Sequence, residues 1–257
     1  MKGHTPRRRF GQNFLVDRGI IRSIIEVIAP QPQQIMVEIG PGLGAITEPL
    51  LERLDHLHVI EIDRDIVARL QAQYQPGRLT IHAGDVLDFD FAALPAPFRL
   101  VGNLPYNIST ELLFRLVPHA HRLIDAHFML QREVVDRMVA APSTSDYGRL
   151  SVMLQYRFAM TKLIDVPPDA FRPAPKVNSA VVRLRPRAPH DLTVVDEALL
   201  GRVVTAGFTK RRKTLRNALE GVIDASGLEA LKINPQLRPE NLGVADYVAI
   251  ANRVAQA

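Results

Sequence analysis

Two short runs of this chain hold side chains whose types and spacing suit chemistry. Val37-Glu38-Ile39-Gly40-Pro41-Gly42-Leu43-Gly44 is an apolar run with an acid, closed by glycines that let backbone approach a ligand where a β-carbon would collide. Its G-x-G-x-G spacing departs from the G-x-G-x-x-G of dinucleotide sites, and an acid before the glycines suits a cationic amino-acid moiety that NAD lacks. This combination points to S-adenosylmethionine. Further along, Asn103-Leu104-Pro105-Tyr106 supplies an amide, a backbone carbonyl and an aromatic ring, a set suited to an adenine amine.

Acids follow the apolar runs at the spacing such a cofactor needs. Glu61 lies roughly 20 residues past the glycines, where its two carboxylate oxygens can take both ribose hydroxyls. Asp63, followed by Arg64, reads instead as the cap of the next helix. Asp85, after Ala83-Gly84, is placed to accept from the cofactor's adenine amine. Taken singly, each acid serves equally well as an ordinary helix or turn cap.

The target reaction follows from the second run. An adenine N6 lone pair is delocalised into the ring and is a weak nucleophile. If the Asn103 side-chain oxygen and the Pro105 carbonyl accept its two N–H groups, the nitrogen is held in line with a methyl group and driven towards tetrahedral character. Tyr106 would stack on the extruded base. No strong general base is needed, because the cationic amine formed on transfer is acidic enough to lose its proton to water or a carbonyl. The plain alternative is a strand-ending turn, for which Asn and Pro are common.

These groups need a sheet edge to meet on. Ile20, Ile21, Ile24, Ile25 and Ile28 behind Asp17 predict a capped, packed helix ending at Pro30. Ile35 to Ile39 and Leu57 to Ile62 predict buried strands around a helical stretch, Ile46 to Leu54, giving a βαβ unit. Strands over Leu79 to His82, Phe98 to Gly102 and His127 to Leu130 follow, with helices near Arg64 to Tyr74 and Ser109 to Leu116. Leu150 to Ala159 and Val177 to Leu184 read as two more strands, a hairpin that could close the sheet. From Asp191 onward helical patterns replace strand signals, beyond Pro186 and Pro189. The expected organisation is α/β, a Rossmann-like domain over 1–188 with an N-terminal basic arm, then a small all-helical domain over 189–257.

Composition narrows the function classes. The 257 residues include no cysteine, which excludes thiolate catalysis and disulfides and suits a reducing cytosol. Arg7-Arg8-Arg9 is followed by no apolar leader, and no stretch approaches the roughly 20 apolar residues of a membrane span. Of eight histidines, only His119 and His121 come near ligand spacing, and they read as solvated, so no metal site is expected. A net charge of +5 favours an anionic partner. Lys210-Arg211-Arg212-Lys213 reads as opening a helix, where four cations oppose the macrodipole; tolerance of that penalty favours a phosphate partner.

Beyond the two runs, Arg9-Phe10-Gly11-Gln12-Asn13-Phe14-Leu15, Gly84-Asp85, Asn107-Ile108-Ser109, Gln131-Arg132-Glu133-Val134, Phe171-Arg172-Pro173-Ala174-Pro175-Lys176-Val177 and Arg211-Arg212-Lys213-Thr214-Leu215-Arg216 complete a pattern. With it the chain resembles, nearly end to end, the ribosomal RNA adenine N6 dimethyltransferases, specifically the small-subunit branch that modifies two adjacent adenosines near the 3′ end of 16S rRNA. The resemblance implies that Asn13 and Leu15 line the methionine end of S-adenosylmethionine, Gly40 its loop, Glu61 the ribose and Asp85 the adenine. It implies that Asn103 serves both cofactor and target amine, and that Tyr106 and Phe171 sandwich the target base. Phe171 in a stiff proline-rich loop suits stacking, though a loop anchor packed on the core is an equal reading. Arg211, Arg212 and Lys213 are the expected RNA contacts. The implied partner is 16S rRNA within a small-subunit assembly intermediate, met by a cytoplasmic monomer. Rival readings are a resistance-type methyltransferase of 23S rRNA, a DNA adenine methyltransferase, disfavoured because an Asp-Pro-Pro-Tyr motif is absent, and a non-catalytic assembly factor.

Overall fold

The computed structural model describes residues 12–256; Arg7 to Arg9, the expected basic arm, lie outside them. After a two-residue strand, β1 (Phe14–Leu15), Asp17 caps α1 (Arg18–Ile28), its carboxylate accepting from the N–H groups of Gly19 and Ile20 at 2.8 and 2.9 Å. These bonds satisfy donors that a helix start leaves orphaned, so the cap predicted from sequence is the one observed. Ile24, Ile25 and Ile28 then bury one face of the helix.

The chain continues through β2 (Met36–Ile39), α2 (Thr47–Leu51), β3 (Leu57–Glu61), α3 (Arg64–Gln73), β4 (Leu79–Ala83), β5 (Phe98–Asn103), α4 (Ser109–Leu116) and β6 (Leu123–Gln131). It then forms α5 (Arg132–Val139), α6 (Arg149–Arg157), β7 (Phe158–Val166), β8 (Phe171–Arg172) and β9 (Ser179–Pro186). Seven strands make one sheet in the order β4-β3-β2-β5-β6-β9-β7, while β1 pairs with β8. The pairs among β2 to β6 are parallel, and β9 runs antiparallel to β6. All four residues of β2 are buried, as expected of a parallel strand covered on both faces. This is the Rossmann-like α/β sheet expected from the sequence.

Two compact units make up the chain: Met1–Val135 with Met160–Pro186, described from Gln12, and Asp136–Ala159 with Arg187–Ala257, described to Gln256. Residues 136–159 thus group with the C-terminal unit, although they lie inside the expected first domain. That unit adds α7 (Glu197–Thr209), α8 (Leu215–Ala218), α9 (Ala225–Ala230) and α10 (Val244–Ala255), and its described residues from 187 onward contain no strand. Its core joins Tyr147, Val152 and Tyr156 to Val203, Leu219 and Tyr247.

Two expectations need correction. Leu150 to Arg157 is helix, with a strand starting only at Phe158. Leu150, Val152, Leu154 and Tyr156 alternate as in a strand, but Ser151 between them is buried too, so the apparent period of two reflects burial around the helix. Ser151 Oγ accepts the Gly148 N–H at 3.0 Å and donates to the Arg137 carbonyl at 2.5 Å. Lys210 to Lys213, in turn, follows α7 and precedes α8. The cations therefore occupy the turn between the two helices, from Lys210 at the C-cap of α7 to Lys213 beside Thr214, the N-cap of α8, and they do not open a helix as one run.

One buried ion pair ties the first unit together. The Arg99 guanidinium meets Asp125 through two bonds of 2.7 and 2.9 Å, with both residues 5% exposed. It also donates to the Ile28 carbonyl at 2.6 Å, at the C-terminal end of α1, and to Gln34 Oε1 at 2.8 Å. Arg99 thus joins β5, β6 and α1. Replacing Arg99 by Met strands the Asp125 charge, and we expect a loss of about 3–5 kcal/mol in thermal or denaturant unfolding. Replacing both residues with apolar ones should restore much of that loss; a single variant as stable as the parent would refute the assignment.

Candidate active site

Strand β2 has β3 on one side and β5 on the other, and the connections from β2 and β5 leave in opposite directions. Ligands bind at such a switch point, beyond the carboxyl ends of the strands. Ile39 pairs with Gly102 across it. A β-carbon on Gly102 would lie 2.6 Å from the Ile39 carbonyl oxygen, so only glycine lets the two strand ends come this close. Gly40 and Gly42 turn the chain away with φ of +67° and +55°.

A cavity of about 340 Å³ opens between the diverging loops. Asn13, Leu15, Gly40, Glu61, Asp85, Asn103, Pro105 and Tyr106 all line it, so eight residues expected at the site from sequence meet in one place. Phe171 does not. It is 1% exposed, opposite Leu15 in the β1–β8 pair and packed in the core with Val166, Ala170 and Val181. In this arrangement it packs as a loop anchor, and its ring does not form part of the cavity wall that Tyr106 lines.

Three carboxylates sit near the floor and one wall. Glu38 on β2 is almost fully buried and accepts the Thr47 hydroxyl at 2.7 Å; burial pushes its pKa up to about 7. Glu61, at the end of β3, accepts the Asp63 N–H at 2.8 Å and the Gly42 N–H at 3.4 Å. Burial raises its pKa, and these backbone bonds oppose the rise. Asp63 is the cap of α3, accepting the Asp65 N–H, and lies outside the lining. Asp85 accepts the Leu87 N–H at 2.9 Å through one oxygen.

The Asn103 to Tyr106 turn is held at several points. Asn103 Nδ2 donates to the Asn13 carbonyl at 3.1 Å, which fixes the amide and leaves its oxygen as the acceptor. Leu104 N–H bonds the Met129 carbonyl of β6 at 3.1 Å. The Pro105 carbonyl already accepts the Ile108 N–H at 3.2 Å, so only its second lone pair is open to a ligand. Ser109 Oγ donates to the Tyr106 carbonyl at 3.1 Å, and the Tyr106 hydroxyl shares a hydrogen bond of 2.9 Å with Ser179.

Several wall residues escaped the sequence reading. Gln12 donates to Asp63 at 3.1 Å, and the Phe14 ring packs 3.1 Å from where a β-carbon on Gly42 would lie. Ile62, 43% exposed, and Val86 add apolar surface beside the acids. An isoleucine directly after a strand-ending acid was the available signal, because an apolar residue in that place has a ligand face to cover. In the C-terminal unit, Arg211 donates to the Ser145 carbonyl at 2.8 Å and stands 3.7 Å from Glu240, whereas Arg212 and Lys213 are exposed.

These residues fit S-adenosylmethionine on their own chemistry. A buried acid suits an ammonium, a second carboxylate suits a vicinal diol, a third suits an exocyclic amine, and Ile62 and Val86 suit a purine face. Among the described residues no cluster fit for a metal ion is present.

Comparison with known proteins agrees with this geometry. The family model described as "Ribosomal RNA adenine dimethylase" matches residues 3–256. The chain is 64% identical to the ribosomal RNA small subunit methyltransferase A of Aromatoleum aromaticum over 99% of this chain and 96% of that one. It is 60% identical to the protein of the same name from Chromobacterium violaceum, over 99% and 97%. Among solved structures, a dimethyladenosine transferase from Plasmodium falciparum superposes with a TM-score of 0.80 at 25% identity, covering 92% of this chain and 95% of that one. The 23S rRNA methyltransferase ErmE gives 0.72 at 26%, covering 95% and 100%. The chain therefore belongs to the ribosomal RNA adenine dimethylase family, enzymes that take their methyl groups from S-adenosyl-L-methionine.

Proposed function

We propose that this chain dimethylates the N6 amines of two adjacent adenosines in the 3′-terminal hairpin loop of 16S rRNA, acting as a cytoplasmic monomer on a small-subunit assembly intermediate. The observation that carries the reading is Asn103, held by Asn13 at the switch point with its amide oxygen open to a substrate amine. Relatives named for the small subunit, at 64% and 60% identity, support 16S over 23S rRNA. The protein named for 23S rRNA stands at 26%.

When bound, S-adenosylmethionine supplies an electrophilic methyl on a sulfonium. The protein's share is position and electrostatics. Glu38, Glu61 and Asp85 would hold the amino-acid, ribose and adenine parts in the cavity that Asn103 also lines. The Asn103 oxygen and the remaining Pro105 lone pair accept the two N–H groups of the target amine, drawing its lone pair out of the ring. Tyr106 stacks on the extruded base from one side. Proton loss follows transfer and needs no dedicated base.

The direct test is transfer of labelled methyl to undermethylated small subunits, with large-subunit rRNA and DNA alongside, then nucleoside analysis. Dimethyladenosine confined to the 16S 3′ end supports the proposal. Label in 23S rRNA favours the resistance-type reading, and absence of label despite cofactor binding favours a non-catalytic assembly factor.

Two predictions concern the cavity and a third the exposed cations Arg212 and Lys213. Asn103→Ala should cut turnover more than about tenfold, roughly 2 kcal/mol of transition-state stabilisation, while RNA affinity holds; unchanged turnover removes Asn103 from the reaction. Burial pushes the Glu38 carboxyl up to about 7. Its raised pKa means that the folded protein binds a proton the unfolded chain has lost, so Glu38 lowers stability as pH rises from about 4.5 to about 7. A bound ammonium reverses that preference. Cofactor binding at about pH 6 should release a proton and tighten as pH rises to about 7, seen as buffer-dependent heats in calorimetry and abolished in Glu38→Gln. Buffer-independent heats would take the ammonium away from Glu38. Replacing Arg212 and Lys213 by Gln should weaken RNA binding and reduce the slope of log affinity against log salt by about 1–2; an unaltered slope would leave these cations as solvated surface.

A further inference from the structure

Tyr106 is held at both ends, and the hold on its ring comes from a strand that contributes nothing else to the cavity. At the backbone, Ser109 in the first turn of α4 donates to the Tyr106 carbonyl. At the phenol, the partner is Ser179, the first residue of β9, at 2.9 Å. Ser179 is 1% exposed and is absent from the cavity wall. It is paired with Gln131, the last residue of β6.

The topology explains why a serine can reach this point. The parallel strands all end at the ligand edge, so a further parallel strand would bring its last residue there. Strand β9 is antiparallel to β6, so it brings its first residue to that edge. A buried hydroxyl with no partner is costly, and Ser179 meets that need with the Tyr106 phenol. The phenol in turn gives up the rotation about χ2 that an exposed aromatic ring would keep. A ring fixed before the base arrives loses less entropy on stacking.

We propose that Ser179 is a positioning residue: through its hydrogen bond it sets the plane of the Tyr106 ring so that the extruded adenine meets a preformed stacking face. This rests on the stacking role proposed for Tyr106. Ser179 touches neither cofactor nor base, and its effect should appear in how the base is held, with cofactor affinity unchanged.

The test uses the full chain with small-subunit RNA, or a hairpin carrying 2-aminopurine at the target adenosine. Four variants are compared: Ser179→Ala, Tyr106→Phe, their double, and Tyr106→Ala. Loss of the shared bond should lower turnover by about fivefold in each of the first two, with a weaker 2-aminopurine response, and the double should be no worse than either single. Tyr106→Ala should fall further, because the ring itself is lost. If Tyr106→Ala is impaired while Ser179→Ala and Tyr106→Phe match the parent, the stacking role stands and the positioning role is overturned. If Tyr106→Ala itself matches the parent, both fall. If additive losses appear in the double, Ser179 acts on the fold by another route and the proposal is overturned. Should Ser179→Ala fail to fold, Tyr106→Phe decides, since it removes the same bond from the half-exposed side.

Discussion

The site depends on one close approach between backbones. Where β2 and β5 run side by side, Gly102 faces the Ile39 carbonyl with no room for a β-carbon. Both strands end there, and their chains part at once, one into the glycine turn and one into Asn103-Leu104-Pro105-Tyr106. The cleft between the departing chains is the cavity. A cofactor half and an acceptor half are thus set by adjacent strands of a buried sheet, which locates them more tightly than two surface loops would.

The electrostatics divide along the same line. The chain is cationic overall, yet the cavity collects Glu38, Glu61 and Asp85. An acidic pocket suits a ligand that carries a sulfonium and an ammonium, and it disfavours the phosphates of RNA. The target amine is neutral, so it can enter where its own backbone is unwelcome. Segregating the two kinds of charge lets one small protein handle a cation and a polyanion without either competing for the other's place.

Much of this was legible in the residues, for reasons that differ from one place to another. Glycine turns, strand-ending acids and the Asp17 cap are local signals, because their chemistry is set within a few residues. The positions of Asn103 and Glu61 on the cavity wall were found that way, and so was the preference for Asp63 as a helix cap. Phe171 was not, because its fate depends on Leu15, more than one hundred positions away in sequence. Leu150 to Arg157 misled because burial on all sides erases helical periodicity. Lys210 to Lys213 misled because four cations in a short turn between helices look like the first turn of the second, and only the end of α7 at Thr209 and the start of α8 at Leu215 place them. Ser179 could not be found from its neighbours at all; its role comes from strand direction.

The interleaving of the two units has a consequence for how the chain is made. Strand β9 lies between β6 and β7, so the sheet of the first unit is incomplete until residue 186 has emerged from the ribosome. Residues 136–159 emerge earlier, but their apolar side chains, Tyr147, Val152 and Tyr156 among them, have core partners that are synthesised only after residue 187. The first unit has all its residues once Pro186 has emerged, whereas the second must hold residues 136–159 until the chain from Arg187 onward follows. During synthesis the nascent chain must carry α6 with its apolar surface uncovered across the whole span in which the sheet closes, a period of exposure that an uninterrupted arrangement of the same two units would avoid.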